Sequence, residues 1–341
     1  VFFEPSKSSA QAGEAIVEKL TARVYPPTDP LYPILAHAPY LYGRDESNYS
    51  DTPLLTYHEV SKVGGNTTIT YTIIFSNEDG GTAYDGLMAR WGRLVDIEWF
   101  YRVMLHASGE ITREEYQAQN HATNAFKGVK EDRHPFLKDV TRNNVFGDSG
   151  SSRFRFALPP VDALVNAARE EMLDLHPWMY SVMSEEWLRE QPQGTEKEAK
   201  PATREVSDPR NYAYLEYRSG PQPGQSCDGK LAFQLKLKGS ETWYASDHGV
   251  DSLRIQSEGW HRSTIELPAG TTSSQVEALR VMLYPGTNRA CALSFTDVRK
   301  LFVLNQEYLP GANLLAWNGQ QSLDADPATT IPDQLTLPVK P

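Results

Sequence analysis

Several large classes of function need residues that this chain lacks. Its 341 residues include two cysteines, Cys227 and Cys291, too few for a cysteine-rich scaffold or a four-cysteine zinc site. No apolar run approaches the roughly 20 residues of a membrane-spanning helix. Lysine and arginine number 33 against 44 acids, a net charge of −11, and no segment clusters the basic residues. Binding to phosphate backbones needs such a cluster, so nucleic acid is not an expected partner. There is no Gly-x-Ser-x-Gly elbow, His-Glu-x-x-His pair, Cys-x-x-Cys pair or Gly-x-x-x-x-Gly-Lys-Ser/Thr loop. Serine hydrolase, zincin, zinc ribbon and P-loop readings therefore have no local support.

What is present suits a secreted globular protein. Apolar and aromatic residues are plentiful enough for one large core or two moderate ones. An acidic balance suits cations, or a neutral glycan whose hydroxyls need acceptors. The chain starts Val1-Phe2-Phe3-Glu4 without an initiator Met, as expected after removal of a leader or tag. The cysteine pair is compatible with a disulfide in an oxidising compartment or with two separate buried thiols. Asn48-Tyr-Ser50 and Asn66-Thr-Thr68 are glycosylation sequons. Together these point to an extracellular location; nothing addresses the oligomeric state.

One stretch stands out, Arg93-Leu-Val-Asp96-Ile-Glu98-Trp-Phe-Tyr-Arg102-Val-Met-Leu105. Side chains alternate faces along a strand, so Val95, Ile97, Trp99, Tyr101, Val103 and Leu105 are expected in a core. The other face would then display Asp96, Glu98 and Arg102 together. A neighbouring strand, Thr67 to Phe75, alternates Ile69, Tyr71, Ile73 and Phe75 with Thr68, Thr70 and Thr72. Its threonine face is expected beside the carboxylates as a hydrogen-bonding surface.

The pattern predicts a mainly β protein, two β-sandwich, jelly-roll-like lobes joined by a short helical segment. The expected divisions are an N-terminal extension (1–30), an N-terminal sandwich with the site (31–159), a helical segment (160–190), a charged linker or loop (191–210) and a C-terminal sandwich (211–341). Residues 160–174 carry apolar positions at helical spacing, and a second short helix is expected around Trp178 to Trp187. Strands are expected at 54–60, 67–75, 212–217, 231–237, 252–256 and 277–284. The turn 76–82 is rich in Gly and acids, so Glu78 and Asp79 can add ligands near the strand end.

Two carboxylates two positions apart on one face lie about 6.6 Å apart along the backbone. Their carboxyl groups can share a cation, or adopt the separations of about 5 to 9.5 Å that glycosidases use. Arginines 93 and 102 would neutralise the acids or hold a substrate carboxylate. His134 precedes the polar loop 141–150, where Asn143 and Asn144 are candidate binding residues, and imidazole can move a proton near neutral pH.

Residues 31–150 resemble the necrosis-inducing proteins and the related vacuolar-protein-sorting-associated β-sandwich family. The resemblance rests on 32–42 (Tyr-Pro-Ile-Leu-Ala-His-Ala-Pro-Tyr-Leu-Tyr), 71–75, Asp96-Ile-Glu98-Trp and His134-Pro-Phe-Leu through Gly150. It implies a sandwich fold and a divalent cation, such as calcium or magnesium, held by acidic and His side chains to dock on glycolipid head groups. Asp96, Glu98 and Asp79 are its candidate ligands here. Arg93 stands where those families have His, Ile97 where they have Trp, and Asn143 or Asn144 where they have a loop His.

The leading expectation is a carbohydrate-active enzyme cleaving an extracellular polysaccharide, with Glu98 as general acid and Asp96 as base or electrostatic partner. Arg93, Arg102, Thr70, Thr72, Asn143 and Asn144 would bind substrate. On an acidic substrate, His134 or Tyr101 could abstract a proton in an elimination. The alternatives are a non-catalytic, cytolysin-like protein that binds glycans or glycolipids, and a structural secreted protein. Trp243, Tyr244, Trp260, His261 and Trp317 offer stacking faces for sugars in the C-terminal lobe.

Overall fold

Alternating apolar residues punctuated by turns fold the described residues into four sheets. The computed structural model describes residues 23–45, 52–77, 81–190, 206–256, 258–287 and 290–339. Glu78, Asp79, the Asn48 sequon and residues 191–205 of the expected linker lie outside the described residues.

The N-terminal lobe holds β1 (Tyr40–Tyr42), β2 (Pro53–Val63), β3 (Asn66–Phe75), β4 (Asp96–Leu105), β5 (Ile111–Ala118), β6 (Ala122–Ala125), β7 (Lys130–Glu131), β8 (His134–Asp139), β9 (Phe146–Gly147), β10 (Arg155–Phe156) and β11 (Asp162–Ala163). A six-stranded sheet runs β11-β2-β3-β4-β5-β6, and a second sheet runs β10-β1-β8-β7 with β9 on β8. Between them Ile69, Tyr71, Ile73, Phe75, Phe100, Tyr101, Val103 and Phe146 form one core.

The C-terminal lobe holds β12 (Tyr212–Pro221), β13 (Lys230–Leu237), β14 (Trp243–Ala245), β15 (Gly259–Glu266), β16 (Val276–Tyr284), β17 (Cys291–Val303), β18 (Trp317–Ala325) and β19 (Asp333–Pro338). Its sheets, β15-β12-β17-β18 and β14-β13-β16-β19, enclose a core that includes Leu215, Phe233, Val281 and Phe295. The mainly β, two-sandwich architecture read from the pattern is the one observed. A disulfide joins Cys227 to Cys291, which ties the loop before β13 to the start of β17. No helix among the described residues is long and apolar enough to cross a membrane.

Among the described residues four α-helices complete the fold: α1 (Tyr32–Ala36), α2 (Tyr84–Trp91), α3 (Glu171–Leu175) and α4 (Trp178–Glu190). The helix expected over 160–174 is not there. Asp162 and Ala163 instead add a parallel strand to β2, Asn166 turns the chain at φ 50°, and helix begins only at Glu171. Edge pairing satisfies backbone groups that a helix would otherwise have bonded within itself. The expected strand at 252–256 is likewise a 3-10 turn, Asp251–Leu253, followed by one bridge from Ile255 to Leu231.

A third core lies where the six-stranded sheet turns its other face to the helices and to the C-terminal lobe. Leu55, Tyr57, Ile74 and Ile97 meet Met172, Met179, Tyr180, Tyr214 and Phe302 there, with Tyr214 and Phe302 stacked at 5.2 Å. Helix α2 ends against β15. The hydroxyls of Thr264 and Ser263 donate to Met88 O and Ala89 O at 2.7 and 2.6 Å, and Gly92 closes the helix at φ 64°.

Candidate functional site

A bulge in β4 decides where the charged residues point. Trp99 pairs with Thr72 and Tyr101 with Tyr71, so Phe100 is an extra residue. Two consecutive side chains, Phe100 and Tyr101, then enter the same core, and the alternation reverses beyond them. The face expected to carry Asp96, Glu98 and Arg102 together is therefore split. Asp96 and Glu98 sit opposite Phe75 and Ile73 at the rim of the N-terminal core. Arg102 pairs with Thr70 on the other face, beside Trp99 and Thr72. The threonine surface lies with the arginine and away from the acids.

Asp96 is sealed, at 1% exposure. Asn144, held at φ 43°, donates Nδ2 to Asp96 Oδ2 at 2.9 Å, and Arg93 Nη1 lies 3.5 Å from Oδ1. Arg93 also donates to Val95 O and approaches Glu170 at 3.3 Å. Burial pushes the Asp96 carboxyl up, against the pull of Arg93.

Glu98 is the carboxyl that reaches solvent. Beyond Tyr101 the pairing of β4 with β5 stops, which leaves residues 96–100 at an open edge. After β5 the turn Gln119–His121 holds Asn120 and His121 at φ 60° and 56°, swinging the imidazole back over that edge. Gln117 Nε2 donates to Glu98 Oε2, and His121 Nδ1 lies 3.7 Å from the same oxygen. Asn143 Nδ2 donates to His121 Nε2 at 3.4 Å. Burial, then the charge of Asp96, pushes the Glu98 carboxyl up to about 8. A cleft of about 360 Å³ opens here, lined by Trp91, Arg93, Glu98, Trp99, Gln117, His121, Asn143 and Arg169.

The other expected site residues fall elsewhere. His134 starts β8, while Asn143 and Asn144 follow its far end, five residues or about 16 Å away along the strand. Its Nδ1 donates to Ala38 O at 2.8 Å and its ring packs on Tyr40, so it is not part of the cleft. Tyr101 is wholly buried and donates to Glu114, so it faces no cleft that admits a substrate. Thr72 is buried, and Asn144 is spent on Asp96. In the C-terminal lobe Trp243 lies under Arg280, Trp260 under Arg299, and Trp317 stacks on Phe295. Sequence reasoning missed Gln117, His121 and Arg169. The only local signal was the polar Gln117-Ala-Gln-Asn-His121 run after an alternating strand.

Arg93 Nη1 stands 3.5 Å from Asp96 Oδ1 and Asn144 bonds Oδ2, so a fixed positive charge already sits beside the carboxylate that a cation would need. These residues do not fit a divalent cation. A second acidic group, Glu171, Asp174 and Glu216, has its oxygens close together but is matched by arginine and lysine. Arg262 forks onto Asp174 at 2.9 and 2.5 Å and reaches Glu216 at 3.2 Å. Arg299 meets Glu216 at 3.1 Å and Lys300 meets Asp174 at 2.7 Å. This network joins α3 to β12, β15 and β17.

Fold and site together define a mainly β protein with an acid, an imidazole and two indoles at the open edge of one sheet. No protein-family model matches the chain, and no curated protein matches it in sequence. Among solved structures it has a distant likeness to necrosis-inducing proteins. NLPPya in complex with glucosamine is 12% identical over 38% of this chain and 70% of that one, with a TM-score of 0.28. NLPPya in complex with mannosamine is 14% identical over 41% and 77%, also at 0.28. Necrosis and Ethylene inducing Protein 2, from the causal agent of cocoa's Witches Broom disease, is 16% identical over 43% and 77%, at 0.28. At such values the cleft must be explained by this chain's own residues.

Proposed function

We propose that this chain is a secreted glycan-recognising protein whose sugar site is the Glu98 cleft. The observation that carries the reading is the setting of Glu98. A carboxyl with access to solvent shares its cleft with Trp91 and Trp99, the amides of Gln117 and Asn143 and the imidazole of His121. Indole faces suit the apolar side of a pyranose, and amides with a carboxyl suit its hydroxyls. Hydrolysis by a carboxylate pair needs both acids to face the glycosidic bond. Asp96 is sealed, which favours recognition over that mechanism.

One observation favours turnover by another route. The Glu98 carboxyl, pushed up to about 8 by burial and then by Asp96, has an imidazole 3.7 Å away, a pair of the kind an elimination uses. The test is incubation with a polysaccharide library, followed by binding measurements and end-group analysis, for the native chain and Glu98→Gln. Binding without new ends, weakened in Glu98→Gln, is the expected result. Unsaturated ends that vanish in Glu98→Gln establish elimination. Reducing ends that persist in Glu98→Gln, or no binding to any glycan, overturn the proposal.

A further inference from the structure

Trp99 is a wall shared by two clefts. Across it from Glu98, on the other face of β4, lies a second cavity of about 450 Å³, lined by His58, Glu59, Thr70, Trp99, Arg102, Asn166 and Arg169. That volume falls within the range of small-ligand sites. Arg169 lines both cavities, so they adjoin.

The second cavity differs from the first in charge. The Arg102 guanidinium lies over Trp99, 4.5 Å from the ring centre, and Nε donates to Thr70 Oγ1 at 3.1 Å. Its other neighbour, Glu115 at 3.6 Å, is also paired with Arg113. Arg169 is exposed, and the hydrogen bond it makes runs from Nη1 to Ile97 O at 3.4 Å. The opposing carboxyl in the cavity is Glu59, which burial pushes up toward its neutral form while both arginines pull it down. Two arginines face Glu59 across the cavity, in a chain whose net charge is −11. The floor is preorganised, because Asn166 is pinned by Trp260 Nε1 at 3.0 Å and by Arg299.

We propose that this cavity is a carboxylate subsite, and that the glycan held at Glu98 is an acidic one whose uronate residue crosses Trp99 to reach Arg102 and Arg169. A guanidinium fork matches a carboxylate in two parallel hydrogen bonds, which a neutral sugar cannot supply. Trp99 lines both subsites, so a sugar chain that crosses it meets Glu98 on one side and the arginines on the other. The inference rests on the glycan reading of the Glu98 cleft and narrows its ligand to uronate-containing chains.

The test is calorimetric titration of the full chain with trisaccharides of galacturonate, glucuronate and mannuronate, their methyl esters, and inorganic sulfate, at low and high salt. At least one acid should bind ten-fold or more tighter than its ester, with the preference shrinking in salt. In Arg169→Gln, a change at an exposed side chain, the ratio of acid to ester affinity should fall below about three-fold. Equal binding of acids and esters, or a preference that survives Arg169→Gln, overturns the uronate subsite and leaves the Glu98 reading standing. Sulfate alone binding as tightly as the best trisaccharide reduces the cavity to a simple oxyanion site and also overturns it. Failure of every acid and ester to bind overturns the uronate subsite, and the Glu98 reading then stands or falls on the polysaccharide library.

Discussion

Replacing Glu98 with Gln removes a titration and little else, because the amide keeps the size of the side chain. In the folded protein burial and then Asp96 raise this carboxyl from its ordinary 4.5 to about 8. The folded state therefore keeps a proton that the unfolded chain releases. Its stabilising effect is fully present below pH 4.5 and is lost as pH rises from there through about 8. Each ten-fold change in proton affinity is worth about 1.4 kcal/mol, so the ceiling is about 5 kcal/mol. Solvent reaches the side chain, which is 13% exposed. Water and the half-exposed His121 screen the charge, and a loss on the order of 2 kcal/mol is expected. Urea unfolding of both proteins from pH 5 to 9 reads it directly, since every other titrating group is common to the pair. Glu98→Gln should gain about 2 kcal/mol on the native chain across that range. A difference flat to within about 0.5 kcal/mol, or a Glu98 carboxyl that titrates below pH 5 by carbon NMR, refutes the reasoning.

Other perturbations test the frame around the site. Arg262 is wholly buried, so Arg262→Met strands Asp174 and Glu216 with only their outer partners and should cost about 3 kcal/mol in thermal or urea unfolding; a loss under about 1 kcal/mol would mean that the network does not hold the helices to the C-terminal sheet. Gly92 has φ 64°, and a Cβ there would lie 2.8 Å from Thr264 Cγ2, so Gly92→Ala should lose about 3 kcal/mol. Gly109→Ala, also at positive φ but with nothing within 4 Å, should lose only about 1 kcal/mol. Equal losses at the two glycines would remove the packing argument. The Cys227–Cys291 bond closes a separation of 64 residues, and replacing both cysteines by Ser should lower stability by up to about 4 kcal/mol, measured against the native chain without reductant. Chelation with EDTA should leave the melting temperature and glycan binding unchanged, and a drop in either would show that a cation occupies the site after all.

The sandwich lobes were legible because their signal is local. Alternation along 67–75, 212–217, 231–237 and 277–284 is dictated by side-chain period, and each segment is a strand in the fold. Residues 160–174 misled because Ala, Leu and Val at helical spacing also suit a short edge strand followed by a turn. The contest was settled by the free edge of β2, which lies about 100 residues upstream. Of the candidate site, the segment 93–102 was legible as a strand bearing both acids, whereas His134 lies away from the Glu98 cleft and His121 lines it. No spacing rule connects Gln117 or His121 to Glu98, since they meet only because β5 stops pairing and the chain doubles back at positive φ.

By itself the sequence determined the class of fold, the core-forming segments and the strand that carries the acids, since these follow from composition and period. Tertiary structure alone decided which side of that strand each charge serves. One inserted residue, Phe100, turns the face between Glu98 and Arg102, so two groups that alternation puts together are separated by Trp99. A bulge is defined by the partner strand, not by the residues that form it, which is why no reading of β4 alone could find it.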